Sequence, residues 1–288
     1  MSDLLASIPF VVIATGALVG VAGSLLGTFL ILRGDAMLTD AISHSILLGI
    51  VVVWMITGLT SGPVQIAGAA LAGLATVVAT QALVRTGRMK DDAAIGLVFP
   101  ALFSIGVLLL NVYGRNVHID AHTVLLGEIG FVWLDTVPLL DLEIPKALLW
   151  MTVVAALDLA FVIAFFKELK LATFDPALAA ALGFAPGALG IALLGLTSAS
   201  AVAAFDAVGV VLFLAFVLVP PSAAYLLTDV LWRVLAYACA MAVASAAIGY
   251  ALAVALDVSI GGTMALATGG FLAAAVAFGP RHGLLAQA

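Results

Sequence analysis

The sequence contains very little charge. Asp, Glu, Lys and Arg make up 9% of its 288 residues, whereas 65% are hydrophobic, and the mean hydropathy is +1.31. A water-soluble domain has roughly 25% charged residues on average. This scarcity excludes a soluble enzyme or binding module and indicates a chain that lies largely inside a bilayer.

Several chemistries are missing as well. Cys239 is the only cysteine, which rules out a disulfide framework and a cysteine metal cluster. The sequence has no G-x-x-x-x-G-K-[ST] phosphate loop, no G-x-S-x-G and no H-E-x-x-H. Basic patches interleaved with aromatic residues, typical of nucleic-acid binding, are also absent. Any energy for transport must therefore come from an ion gradient or from another subunit.

Long apolar runs dominate what is present. A helix needs about 20 apolar residues to cross a hydrocarbon core of about 30 Å, and runs without polar alternation favour helices over a β-barrel. We predict an all-α, polytopic membrane bundle of about nine helices, within a range of eight to ten, forming one transmembrane domain over residues 1–288. The predicted spans are 10–32, 36–57, 63–84, 93–112, 147–166, 187–204, 207–227, 233–255 and 260–279.

The basic residues predict the orientation, because Lys and Arg collect on the cytoplasmic side. An external N-terminus and nine spans leave only Arg115 and Lys146 outside. The C-terminus is then cytoplasmic, together with Arg33, Arg85, Arg88, Lys90, Lys167, Lys170, Arg233 and Arg281. Residues 113–146 become an external loop that is long enough to re-enter the membrane.

The second predicted span contains Asp40-Ala-Ile-Ser-His44. Residues four apart share a helical face, and an ionisable side chain at bilayer depth needs a partner, a cavity or a function. A carboxylate with an imidazole suits Mn²⁺, Zn²⁺ or Fe²⁺. From spacing alone, Asp40 and His44 form either a metal site, a pair that satisfies itself, or a proton relay. Asp35, just before this span, is expected to cap the second helix at the cytoplasmic face.

Other ionisable residues are weaker metal candidates. His118, Asp120, His122 and Glu128 gather in the external loop, where they form either a metal-collecting site or a solvated polar segment. Asp158 lies inside the fifth predicted span. It either lines the transport path or pairs with another helix.

The residue pattern of segment 174–183 predicts a short helix on the cytoplasmic side. Asp175 is suited to the N-cap, Pro176 to the first turn and Gly183 to the residue that ends the helix. Such a helix outside the membrane can dock a partner; the alternative is a plain connector.

These segments resemble, in order, the permease subunits of manganese/zinc/iron ABC importers. The resemblance includes Leu32-Arg33, Asp40-Ala-Ile-Ser-His44 (D-x-x-S-H), Leu125-Leu-Gly127 (L-F-G), Phe174-Asp-Pro-Ala-Leu-Ala (F-D-P-x-x-A), Val208-Gly-Val-Val-Leu, Val219-Pro-Pro-Ser-Ala-Ala-Tyr225, Ser259-Ile-Gly-Gly-Thr-Met and Phe278-Gly-Pro280. The sequence departs from the family pattern at Leu126, where Phe is usual, at the second proline Pro221, and in having both His118 and His122.

The resemblance implies a non-enzymatic, multi-pass permease of the prokaryotic cell (inner) membrane. Its partners would be a cytoplasmic ATP-binding subunit, an external metal-binding protein and a second permease copy, as homodimer or heterodimer, with no nucleic acid. Asp40 and His44 would line the path of transported Mn²⁺, Zn²⁺ or Fe²⁺, none of it permanently bound. The residues that would dock the ATPase are Phe174, Asp175, Pro176, Ala177, Leu178, Ala179 and Gly183.

Three alternatives remain at this point. A siderophore or cobalamin permease would tend to be longer and would not need an Asp–His pair. A proton-coupled secondary transporter would use Asp40, His44 and Asp158. An intramembrane enzyme would have only Asp40 and His44 as a catalytic pair, and would leave segment 174–183 without a role.

Overall fold

The computed structural model describes residues 7–59, 63–114, 129–139 and 142–279. These ranges contain ten α-helices, a 3₁₀ turn at Ile129–Phe131 and one β-hairpin. In chain order the elements are α1 (Ile8–Arg33), α2 (Ala36–Thr57), α3 (Pro63–Arg85), α4 (Asp91–Tyr113), β1 (Thr136–Leu139), β2 (Leu142–Pro145), α5 (Lys146–Ala164), α6 (Phe166–Phe174), α7 (Pro176–Ala181), α8 (Pro186–Leu227), α9 (Leu231–Leu256) and α10 (Ile260–Phe278).

The prediction of nine membrane spans is confirmed within the described ranges. Helix α8 contributes two of them, Pro186–Phe205 and Ala207–Leu227. Its 42 residues would measure about 63 Å if straight, twice the hydrocarbon core. The helix is broken at Gly209, whose φ of 77° and ψ of 170° are non-helical. Glycine adopts this conformation without a steric penalty.

Helix α1 packs against α5, α8 and α9 through closely spaced small residues. A Cβ on Gly27 would overlap the carbonyl oxygen of Val217, and one on Gly20 would lie 2.9 Å from the Cβ of Ala242. Ser24 Oγ also donates a hydrogen bond of 3.1 Å to the Phe216 carbonyl. Small residues allow membrane helices this close an approach, so these glycines are packing positions.

Helix α2 packs against both α3 and α4, which also contact each other. Gly49 of α2 meets Gly68 of α3 so closely that a Cβ on either would strike the other's backbone or a neighbouring side chain. On another side of α2, a Cβ on Gly106 of α4 would lie 3.0 Å from the Leu48 amide nitrogen. Both neighbours are therefore in direct contact with the α2 backbone.

Contacts along the helices establish their directions. Helix α9 runs antiparallel to α1, since Gly16 meets Ala246 whereas Gly20 meets Ala242. Arg33 at the end of α1 packs on Gly190 at the start of α8. We call this side of the bundle the Arg33 end; it also carries Arg85, Arg88, Lys90, Lys167, Lys170 and Arg233, with Lys146 at the opposite end. Which end faces the cytoplasm stays a prediction.

The loop predicted over 113–146 contains a small hairpin that the sequence did not reveal. Strands β1 and β2 pair antiparallel, with Thr136 opposite Pro145. Lys146 closes the hairpin, its Nζ lying 3.3 Å from Asp135 Oδ2. Strands of four residues are too short to show a convincing alternation. Residues 115–128 of this loop lie outside the described ranges.

The contact at Gly27 yields a stability prediction. Gly27→Ala should lower the free energy of unfolding by about 1–3 kcal/mol, because the added methyl group overpacks against the α8 backbone. Thermal unfolding followed by size-exclusion chromatography measures the loss. The control is Gly195→Ala in α8, where no described atom lies within 4 Å of an added Cβ. Equal melting of the two variants would contradict the packing role.

Candidate metal-transit site

Asp40 and His44 lie one turn apart in the first half of α2. His44 Nε2 is 3.5 Å from Asp40 Oδ1, and the two side chains are 34% and 40% exposed respectively. Ile42, between them in sequence, is fully buried and faces Gly73 of α3. The packing of α2 on α3 therefore turns the acid and the imidazole away from α3, toward a partly exposed face of α2.

Two aromatic residues of α4 hold the His44 ring. The imidazole stacks on Phe99 at 5.8 Å with an interplanar angle of 28°. It meets the edge of Phe103 at 6.0 Å and 78°. Both arrangements are favourable for aromatic pairs. This aromatic wall was not predictable from the sequence, because phenylalanines in an apolar span look the same whether they face lipid or a histidine.

Asp40 and His44 make an incomplete metal site by themselves. The described residues contain no group of three or more His, Cys, Asp or Glu side chains that could hold an ion. Zn²⁺ takes four ligands and Mn²⁺ favours six. One carboxylate and one imidazole therefore need further ligands from water, from the backbone or from another chain.

Asp158 is buried between α5 and α8. Its Oδ2 accepts a 2.8 Å hydrogen bond from Ser200, and its side chain has no exposure. Among the described residues, Oδ1 has no hydrogen-bond partner. The carboxyl thus pairs with another helix, which is one of the two alternatives considered from the sequence. Its predicted role in the metal path stays untested.

The positions of the four candidate metal ligands in the external loop, relative to Asp40 and His44, are not described. His118, Asp120, His122 and Glu128 all fall within 115–128, outside the described ranges. Their role as a metal-collecting site stays a prediction.

Segment 174–183 forms the predicted capped helix. Asp175 Oδ1 accepts a 2.8 Å hydrogen bond from the Leu178 amide at the start of α7. Gly183, with φ of 88°, follows its end. Ala179 is buried, while Phe174, Leu178 and Leu182 are 58%, 46% and 61% exposed. The segment thus displays apolar side chains at the Arg33 end of the bundle.

One expected cap is absent. Asp35 occupies the N-cap position of α2, but its side chain makes no capping hydrogen bond. Its Oδ2 instead accepts a 3.1 Å bond from Arg33 Nε. The expectation of a side-chain cap was wrong, because the nearby guanidinium offers a charge-assisted bond.

Comparison with known proteins decides the family. The model of the ABC 3 transport family matches residues 7–279. The chain belongs to the ABC 3 transport family. It is 46% identical to the manganese transport system membrane protein MntD of Bacillus subtilis over 277 residues, covering 96% of this chain and 94% of that protein. It is 43% identical to the zinc transport system membrane protein TroD of Treponema pallidum, covering 95% and 75%.

A solved structure agrees. The chain superposes on a chain from the structure of PsaBC from Streptococcus pneumoniae in complex with Fab. The TM-score is 0.78 and the sequence identity is 25%, and the match covers 94% of this chain and 92% of that chain. This ABC 3 family member is thus a multi-pass membrane protein, and its resemblance to metal ABC importer permeases is confirmed. The two relatives are named for different metals, so similarity alone does not select the ion.

The Asp158–Ser200 bond in this family member is open to a stability test. Ser200→Ala should lower the free energy of unfolding by about 1–3 kcal/mol, because it leaves a buried carboxyl without its donor. Asp158→Asn keeps an oxygen acceptor and should lose less. The control is Ser222→Ala, whose hydroxyl, in the described part of the chain, bonds within α8 to the Leu218 carbonyl. The melting temperatures of these variants are measured by thermal unfolding in detergent. A melting temperature of Ser200→Ala equal to that of the wild type would show that the bond contributes nothing to stability.

Proposed function

We propose that this protein is the membrane permease of an ATP-driven importer of Mn²⁺, Zn²⁺ or Fe²⁺. The observation that carries the proposal is the Asp40–His44 pair on a partly exposed face of a membrane helix in an ABC 3 family chain. The pair combines a carboxylate and an imidazole, which suit these cations. A transit site must also release its ion, and two ligands from one chain favour moderate affinity.

A second permease would complete the site. A carboxylate that is 40% exposed on a membrane helix is expensive to leave against lipid. A second copy of this chain, or a related permease, covering this face would shield Asp40 and His44 and add its own ligands. The metal path would then run between the two permeases.

The ATP-binding subunit would dock on segment 174–183. The full sequence has no phosphate-binding loop of its own, and this segment displays three exposed apolar side chains outside the spans. The N-cap at Asp175 keeps the short helix formed while it is exposed. The Arg33 end would accordingly be cytoplasmic.

Movement of the docked segment can reach the metal site through packed helices. Helix α6 contacts α1 and α8. Within α8, Ser198 donates a hydrogen bond of 3.2 Å to the Ala70 carbonyl of α3. Gly73, one turn further along α3, meets both Ser198 and Ile42 of α2. Displacement of α6 and α7 would therefore shift the helix that carries Asp40 and His44.

Metal would arrive from an external metal-binding protein at the opposite end. The described parts of the loop over 113–146 lie there, and its histidines and acids, His118, Asp120, His122 and Glu128, would receive the ion. Asp40 and His44 would hold it until ATP binding and hydrolysis in the partner open the path inward.

Removal of either ligand tests the site. Asp40→Ala and His44→Ala should each reduce uptake of radiolabelled Mn²⁺ or Zn²⁺ at least about tenfold, since even outer-shell changes at metal sites reach this size. Uptake is measured in cells that express the complete transport system. Asn111→Ala is the control, because among the described residues this exposed amide bonds to its own helix at Val107. Unchanged uptake by normally inserted His44→Ala protein would refute the site.

Docking is tested separately at Leu178. Leu178→Asp should reduce co-purification of the ATP-binding subunit to background and abolish uptake, because it places a charge in an apolar contact. Val258→Asp is the control, since Val258 is 50% exposed at the other end of the bundle. Retained co-purification would refute the docking role. Uptake that persists after ATP depletion would instead support a proton-coupled transporter.

A further inference from the structure

Helix α4 contains a proline in its interior. Pro100 lies nine residues after the start of the helix. Proline has no backbone N–H, so it cannot donate to the carbonyl four residues earlier. That carbonyl belongs to Gly96, which thereby loses its usual α-helical partner.

The freed carbonyl lies on the face of α4 that meets the Asp40–His44 pair. Gly96, Phe99 and Phe103 are spaced i, i+3 and i+7, which places them on one helical face. Both phenylalanines contact the His44 ring. Gly96 is therefore the next position along the wall already described.

The register of the two helices brings Gly96 to the level of Asp40. Helices α2 and α4 run parallel, because His44 lies between Phe99 and Phe103 while Leu48, one turn later, meets Gly106. Asp40 precedes His44 by one turn. It is therefore opposite the turn of α4 that precedes the two rings, within about 3 Å of the height of Gly96 at a rise of 1.5 Å per residue.

The space beside Gly96 is open. The residue is exposed, and no described atom lies within 4 Å of a Cβ built on it. Backbone carbonyls freed where a membrane helix is interrupted coordinate cations in other transporters. A glycine at this position lets a hydrated ion approach the backbone closely.

We propose that the Gly96 carbonyl oxygen is a third cation ligand beside Asp40 and His44, and that it favours a hard divalent ion such as Mn²⁺. The inference rests on the proposed function of that pair. Two oxygens and one nitrogen from each chain suit Mn²⁺, which prefers oxygen ligands and a high coordination number, better than they suit Zn²⁺, which is satisfied by four ligands.

Restoring the missing amide tests this role. Pro100→Ala returns an N–H to position 100, which would bond the Gly96 carbonyl and withdraw it from the ion. The apparent KM for radiolabelled Mn²⁺ uptake in cells with the complete system should rise about tenfold. The KM for Zn²⁺ should rise less, so the Mn²⁺/Zn²⁺ preference falls. Pro221→Ala, which changes another intrahelical proline in α8, should leave the preference unchanged.

A second variant tests the same proposal if Pro100→Ala fails to fold. Gly96→Val fills the open space beside the carbonyl without adding a backbone donor, and it should lower the Mn²⁺/Zn²⁺ preference in the same direction. The contrary outcome is that both variants show the same KM values and the same Mn²⁺/Zn²⁺ preference as Pro221→Ala, while His44→Ala abolishes uptake. In that case the Gly96 carbonyl is not a ligand, but the role of Asp40 and His44 is retained. If His44→Ala leaves uptake intact, the proposed function itself fails.

Discussion

Close backbone contact at glycines is the constraint on which this bundle depends. Lipid tails are as apolar as the helices, so association in a bilayer relies on tight packing and on hydrogen bonds between helices. The contacts at Gly27 with Val217, and at Gly49 with Gly68, leave no room for a side chain. Hydrogen bonds from Ser24 and Ser198 to carbonyls of neighbouring helices join the same surfaces. The position of α2, and hence of the candidate metal site, follows from these contacts.

The candidate site is polar, although the helix that carries it is otherwise largely apolar. Helix α2 is long and apolar enough to cross a membrane, yet it directs an acid and an imidazole to a face that the described residues cover only in part. A polar pair in such a place is tolerated when a cavity or another protein covers it. The geometry therefore favours one half of a shared path over a self-contained channel. Segment 174–183 is a second incomplete surface, apolar and exposed, at the Arg33 end.

Much of the fold was predictable, because a membrane span is a property of composition over about 20 residues. The cap at Asp175 was predictable for a similar reason, since its effect is confined to one turn. The Asp40–His44 spacing was visible because four residues make one helical turn. The sequence predicted two separate spans in place of α8. The conformation of Gly209, which joins them, could not be predicted from the residue type alone.

The rest depends on contacts between distant parts of the chain. Phe99 and Phe103 become significant only once α4 lies beside α2. Asp35 was expected to cap α2, yet Arg33 two residues away competes for its carboxylate. The partner of Asp158 is 42 residues further along the chain, beyond the reach of spacing arguments. The hairpin at 136–145 is too short to show a periodic pattern.

The proposed passage of the cation between Asp40 and His44 can be tested directly. Anomalous X-ray diffraction at the manganese absorption edge, from crystals of the assembled importer grown with Mn²⁺, locates the ion most directly. We expect an anomalous peak within bonding distance of Asp40 Oδ and a His44 ring nitrogen. A peak inside the bundle that contacts neither residue, with none between them, would contradict it.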